Sequence, residues 1–226
     1  MPSFTFQTDA GAQTIDIAQL VVAGWTGRNA AAVQHHIEEL AALGVPGPSS
    51  VPLYYRVGAE LLTQASAISV LGPDTSGEVE PLIVADGNGA LWLGLASDHT
   101  DRALEAHSVA KSKQACPKPI ARDLWKFDPL RAHLDTLCLR ADILEPGLAE
   151  YVRYQDGVLA ALRSLPELMA GLPGGGLAPG TAMMCGTLTA MGGIRPATQF
   201  RMALLDPVQG REITCDYRID DLPVIA

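Results

Sequence analysis

The chain has no paired cysteines, no long apolar run and no excess of basic residues, and each absence removes a class of function. Its four cysteines, Cys116, Cys138, Cys185 and Cys215, are widely scattered and form no Cys-x-x-Cys pair. That excludes the close ligand spacing of a zinc cluster and gives no disulfide framework in a chain of this size. No segment reaches the uninterrupted apolar length of a membrane span. The opening MPSFTFQTDA lacks the basic start and apolar stretch of a signal peptide, so a soluble cytoplasmic protein is expected. Lys and Arg number 16 against 25 Asp and Glu, and the formal charge of −9 opposes non-specific binding to nucleic acid or an anionic membrane. A small anionic substrate can still bind where a cation or local Arg and Lys receive it. Gly174-Gly175-Gly176 is not followed by Lys-Ser/Thr, so it is a surface turn and not a phosphate loop.

What is present fits an ordinary globular chain. With 226 residues, 48% of them hydrophobic and 18% charged, it is long enough to bury a core and carries no sign of disorder. No repeat or long linker divides it, so residues 1–226 are expected to form one domain. Strands are expected near Phe4 and Phe6, over Ile15 to Ala23, Leu53 to Val57, Ala67 to Val70, Glu78 to Ala85 and Ala90 to Ala96. Asp86-Gly87-Asn88-Gly89 is a hairpin signal between the last two. Further strands are expected at Leu137–Ile143, Thr181–Cys185, Gln199–Leu205 and Arg211–Ile219. Val33, Ile37, Leu40 and Leu43 recur at helical spacing from about Ala30 to Leu43, and Gly44 to Pro48 ends that helix. Asp101 to Lys113 and roughly Tyr154 to Met169 are also expected to be helical. The fold class is therefore mostly β with a few helices (α+β).

One strand carries the chemistry. Side chains at i and i+2 of a strand share a face, so Glu78 and Glu80 aim two carboxylates at one spot. Such a pair repels unless it is hydrated or neutralised by a cation. Asp98, in Ser97-Asp98-His99-Thr100-Asp101-Arg102, completes a set of hard oxygen donors suited to Mg²⁺, Mn²⁺ or Ca²⁺. Taken alone, Glu-Val-Glu is also the pattern of a solvated strand face. His99 points opposite to Asp98 in extended chain and is expected to be structural, as is His107. On the first helix, His36 with Glu39 and His35 with Glu38 are both three apart, and either pair lets a carboxylate orient an imidazole. His36 with Glu39 is preferred, because Glu39 lies beside Leu40 and Leu43; an exposed polar helix face is the alternative. Lys111 is expected to hold a substrate anion or move a proton, Lys118 to be solvated, and Lys113 to be either. Arg28, Tyr54, Tyr55 and Arg56 are pocket candidates.

Taken in order, these segments resemble the fumarylacetoacetate hydrolase superfamily over most of the chain. Gly27-Arg28-Asn29 ahead of His35-His36-Ile37-Glu38-Glu39 is similar to the family's GRN segment and His-x-x-Glu helix. Glu78 and Glu80 resemble its Glu-x-Glu metal pair, and Ser97 to Arg102 resembles the segment giving the third ligand, here Asp98, and an anion contact, here Arg102. Lys111 with Cys116-Pro117 resembles the family's lysine region. Leu177-Ala178-Pro179-Gly180 through Cys185-Gly186-Thr187-Leu188 is similar to its C-terminal motif, whose Gly-Thr step, Gly186-Thr187, would approach the substrate carboxylate. Three departures place the chain in a divergent branch of unknown function: a short span from Glu80 to Asp98, Lys113 where a Phe is usual, and Cys-Gly-Thr-Leu for Thr-Gly-Thr-Pro.

The resemblance implies a fumarylacetoacetate hydrolase-like mixed β-sandwich roll, a homodimer, and Mg²⁺ or Mn²⁺, with Ca²⁺ as an alternative. It implies hydrolysis of a C–C bond in a small 2-oxo or 1,3-dicarbonyl acid of the acylpyruvate type. His36 and Glu39 would activate water, Lys111 would assist, and Arg28, Arg102, Gly186 and Thr187 would bind substrate. The alternatives are a decarboxylase, hydratase or isomerase of a 2-oxo acid, or a non-catalytic metabolite-binding protein of the same fold.

Overall fold

Two-residue alternation sets the architecture of the computed structural model, which describes residues 1–42 and 47–225 apart from the side chains of His36, Glu39, Leu40 and Ala42. Six strands lie side by side in the order Trp125–Lys126, Leu91–Ser97, Val79–Ala85, Thr181–Met184, Gln19–Gly24 and Leu53–Val57. A second sheet has the order Val152–Val158, Cys138–Leu144, Gln199–Asp206, Arg211–Leu222 and Ala67–Leu71. Neighbours are antiparallel except for Thr181–Met184 beside Gln19–Gly24 and Arg211–Leu222 beside Ala67–Leu71. The structure is thus mostly β with short helices, as the sequence predicts, and both sheets are mixed.

The six-stranded sheet is buried on both faces. Val79, Ile83, Leu93, Leu95 and Met183 pack against Leu139, Ala141, Tyr154, Phe200, Leu204 and Tyr217 of the second sheet. The residues between them in sequence, including Leu82, Val84, Ala96, Ala182 and Met184, form another core with Phe6, Ile15 and Ile17 of the N-terminal hairpin and with Ile120 and Leu124. A strand dry on both sides needs an unbroken apolar run, which Leu82-Ile83-Val84-Ala85 supplies.

The Asp86–Gly89 hairpin forms where the sequence places it. Asp86 Oδ1 accepts the amides of Asn88 and Ala90 at 2.9 and 3.0 Å, and Oδ2 accepts the Trp92 indole N–H at 3.1 Å. Gly89 has φ +81°, which a glycine adopts without steric cost. Other strand expectations hold to within a few residues. The expected helix over Tyr154 to Met169 does not form. Val152–Val158 is an edge strand of the second sheet, and only Leu165–Ala170 is helical. Ser164 and Pro166 fix that start: the Ser164 hydroxyl accepts the Glu167 amide at 3.3 Å, and Pro166 has no N–H for an earlier helical turn to use. The stretch expected as one helix from Asp101 is two, Arg102–Glu105 and Val109–Ala115, capped by Asp101 and Ser108. The first helix spans Ala30–Ala42. Its expected end at Leu43 and the stop over Gly44 to Pro46 lie outside the described residues.

Burial pushes the Asp86 carboxyl up, but hydrogen bonds from Trp92 and the turn amides outweigh it and hold the carboxyl below its ordinary value. A depressed carboxylate stabilises the fold above its unfolded pKa of about 3.9, and that stabilisation is lost as pH falls through the lower folded value. Asp86→Ala is therefore expected to lower stability by about 1–3 kcal/mol at pH 7. Urea melts of both proteins should show that difference shrinking below about pH 4.

Candidate metal centre

The carboxylates gather at the end of two paired strands. Val79 pairs with Ser97 and Glu80 with Ala96, and the Asp98 amide donates to the Glu78 carbonyl at 3.0 Å. Alternation puts Glu78, Glu80 and Asp98 on the face that carries Leu82, Val84 and Ala96. One oxygen from each of the three lies within 4.8 Å of the other two. Glu80 and Asp98 are buried, at 2% and 0% exposure, whereas Glu78 is partly open.

Residues in the twenty positions after Asp98 neutralise this charge. Arg102 donates from Nη2 to Glu78 at 2.8 Å, from Nη1 to Glu105 at 2.7 Å and from Nε to the Ser76 hydroxyl at 2.7 Å. Lys113 Nζ binds Asp98 Oδ2. Lys118 Nζ lies 2.9 Å from Asp98 Oδ1 and gives its directed hydrogen bond to the His99 carbonyl. Asp98 Oδ1 therefore has charge contact without a directed hydrogen bond. Glu80 Oε2 accepts the Gly186 amide at 2.7 Å. Gly186 has φ +92°, and a Cβ there would fall 1.7 Å from Thr26 Oγ1, so the close approach requires glycine.

The electrostatics differ among the carboxylates. Burial, then repulsion from Asp98, raises the Glu80 carboxyl well above its ordinary value despite Lys113. Burial would raise Asp98 too, but Lys113 and Lys118 overcome it and hold Asp98 well below the usual range. Burial works against the Lys113 charge, and the attraction of Asp98, Glu78 and Glu80 more than restores it.

His99 faces the other core. Its ring nitrogens lie 3.0 Å from the Tyr217 hydroxyl and 2.9 Å from Thr75 Oγ1, and Ser97 Oγ also meets Tyr217, at 2.8 Å. Burial, with Lys118 and Arg102 nearby, pushes its pKa down to about 3, so it is a neutral structural imidazole.

The lysine placement corrects the sequence expectation. Lys111 is exposed, while Lys113 and Lys118 are the buried cations at Asp98. Residues two apart on a helix differ by about 200°, so Lys111 and Lys113 cannot share a face. The missed signal was Cys116: counting back three and four from this buried residue gives Lys113 and Ser112, the inward stripe.

Other expected contacts are more varied. Thr187 Oγ1 donates to the Val79 carbonyl at 2.7 Å and accepts from Gln155 Nε2 at 2.7 Å, beside the Gly186 contact with Glu80. Gln155, which the sequence did not single out, also receives the Val79 amide at 3.0 Å. Arg28 is instead paired with both oxygens of Asp135 at 2.7 Å and with the Leu162 carbonyl, so it is already committed elsewhere. Tyr54 donates to the Leu168 carbonyl at 2.9 Å, Arg56 donates to Gln19 at 2.7 Å, and Tyr55 lies under Lys113. The side chains of His36 and Glu39 lie outside the described residues. Glu38 accepts from Gln34 at 2.9 Å.

The three carboxylates fit a hard divalent cation. At metal–oxygen distances of roughly 2.0–2.6 Å, ligand oxygens of one ion lie about 3–5 Å apart, which covers the observed separation. The set contains no thiolate or imidazole, and the raised Glu80 and undirected Asp98 oxygen are what a site built around a positive charge would show.

Because both lysines hold Asp98, Lys118→Met should lower stability by about 3–5 kcal/mol, as it leaves a buried charge short of a partner. Lys111→Met should stay within about 0.5 kcal/mol of the wild type. Thermal and urea melts of the two variants check both values.

Comparison with other proteins identifies the fold. The fold is similar to 2-keto-3-deoxy-D-arabinonate dehydratase complexed with magnesium and 2,5-dioxopentanoate, at TM-score 0.65 and 16% identity over 95% of this chain and 78% of that one. It is also similar to a candidate fumarylpyruvate hydrolase from Burkholderia cenocepacia (0.61, 17%, covering 99% and 97%). A yeast protein of the fumarylacetoacetate hydrolase family is alike in the same way (0.61, 14%, covering 92% and 95%). No curated protein matches the sequence. The fold is thus fumarylacetoacetate hydrolase-like, as the motifs imply. Residues 23–217 match one family over most of the chain, and the protein belongs to that family, described as "Protein of unknown function (DUF2848)".

Proposed function

We propose that the protein is a divalent-cation-dependent enzyme that hydrolyses a C–C bond in small 2-oxo acids of the acylpyruvate type. The observation that carries this reading is the buried cluster of Glu78, Glu80 and Asp98 with Lys113 bound to its innermost member. The magnesium and 2-oxo acid held by the structurally similar dehydratase support it.

In this reaction water adds to the acyl carbon and the bond between that carbon and C3 breaks. The electron pair left on C3 takes up a proton, giving a carboxylic acid and pyruvate. A cation held by Glu78, Glu80 and Asp98, Mg²⁺ or Mn²⁺ in this reading, would supply Lewis acidity toward the 2-oxo group. The chain's own groups do the rest. Arg102 holds Glu78 in place through one arm and Glu105 through the other. The Gly186 amide aims Glu80, and Thr187 stands next to it, where a substrate carboxylate could be received. Lys113 brings a fixed positive charge beside Asp98. Activation of the water is assigned to His36 with Glu39, or to His35 with Glu38, on the resemblance of this helix to a His-x-x-Glu segment.

An ultraviolet assay of acylpyruvates with Mg²⁺ or Mn²⁺ tests the reading. Turnover is expected to stop on chelation, and Glu80→Gln is expected to weaken Mn²⁺ binding by about 100-fold or more, since even outer-shell partners are worth 10–100-fold. Unchanged Mn²⁺ affinity in Glu80→Gln would refute the metal site. Metal binding with no turnover of any acylpyruvate would refute hydrolysis, and oxaloacetate loss in that sample would favour decarboxylation.

A further inference from the structure

A cavity of about 310 Å³ is lined by Glu105 and Tyr55, each a neighbour of a cation that holds one of the carboxylates, and more of its wall is apolar than polar. Trp25, Leu53, Tyr55 and Val109 supply aromatic and aliphatic surface, and Glu105 and His107 stand at its polar side. The volume is at the lower end of small-molecule sites, roughly 300–1,000 Å³.

Three connections tie this cavity to the candidate metal centre. Glu105 lines it and holds Arg102, which holds Glu78. Tyr55 lines it and lies 5.7 Å, ring centroid to ammonium, from Lys113, which holds Asp98. Trp25 lines it and is followed by Thr26, whose side chain packs on Gly186, the residue that aims Glu80. Each wall is therefore within two side chains of a different carboxylate.

Trp25 adds an independent sign. It has φ +61°, the one non-glycine positive φ among the described residues. For a bulky side chain this costs of order 1–3 kcal/mol, and such strain gathers at ligand sites. The indole N–H lies 3.3 Å from the Tyr55 hydroxyl, which sets the two rings as one wall.

We infer that this cavity receives the distal acyl group of the substrate and selects an aromatic one, with Trp25, Tyr55 and Val109 determining the preference. With a 2-oxo acid head at Glu78, Glu80 and Asp98, the acyl end would extend toward this wall, and a phenyl ring matches its aromatic and aliphatic surface. The assignment rests on the proposed metal and 2-oxo acid reading.

Calorimetric titration with Mg²⁺ present tests it, using benzoylpyruvate and acetylpyruvate as probes. Benzoylpyruvate should bind about tenfold or more tightly than acetylpyruvate, the discrimination an apolar pocket gives for added hydrocarbon. Val109→Trp, which fills the cavity, should bring that ratio to about one. Trp25→Gly suits the positive φ, which offsets part of the lost ring packing, so it should still fold and lower the ratio. Equal affinity for the two probes in the wild type, or an unchanged ratio in both variants, would overturn the assignment. Chelation separates the two levels: a benzoyl preference that survives EDTA removes the metal reading and keeps the aromatic cavity. If neither acid binds, the 2-oxo acid reading falls, and acetophenone then decides the cavity. Its binding to the wild type and its loss in Val109→Trp would sustain an aromatic site, and no binding would overturn it.

Discussion

Asp98 is the interaction on which the rest of the site depends. A carboxylate with no exposed surface is tolerable only if its charge is balanced nearby, and the segment that follows it in sequence supplies two ammonium groups within twenty residues. That requirement explains why the chain, which stays paired with the segment before Glu78 as far as Asp101, then runs through two short helices. The capped helix Val109–Ala115 delivers Lys113, and the strand that pairs Lys118 with Leu62 delivers the other lysine. The site is therefore assembled by charge compensation, with the helices as the means of delivery.

The doubly buried sheet gives this arrangement its precision. Consecutive residues of the strand ending at Ser97 face different cores, and the alternation continues past the strand end. Asp98 goes to the carboxylate face, while Ser97 and His99 meet Tyr217 in the space between the sheets. The second sheet therefore fixes the segment from behind while leaving Asp98 to the cations. The same logic links Gln155 to the site: from the edge strand it takes the Val79 amide and donates to Thr187, tying Glu80's own strand to the segment that follows Thr181–Met184.

Local chemistry made much of this legible in sequence. Glu78 and Glu80 declared a shared face by spacing alone, Asp86 to Gly89 declared the hairpin, and the opposite sense of Asp98 and His99 followed from strand geometry. Two features were not legible for identifiable reasons. Lys111, Lys113 and Lys118 are chemically alike, so only the burial of Cys116 and Ser112 distinguishes the inward lysine. Residues 154–158 read as helix in sequence because the apolar residues around Tyr154 lie at spacings that either structure can use. The decisive marks, Gly157 and the Ser164-x-x-Glu167 box, stand at its end and beyond it. Tertiary pairing with Cys138–Leu144 resolved the ambiguity.

The opposite facing of Asp98 and His99 also bears on how the gene can vary in length. Adding or removing one residue between Glu80 and the Asp86 turn, or between Ala90 and Asp98, would exchange the two faces and carry the ligands into the apolar space between the sheets. The Asp86–Gly89 turn carries no such constraint, because extra residues there leave both strands in register. Insertions that survive in relatives should therefore collect at that turn.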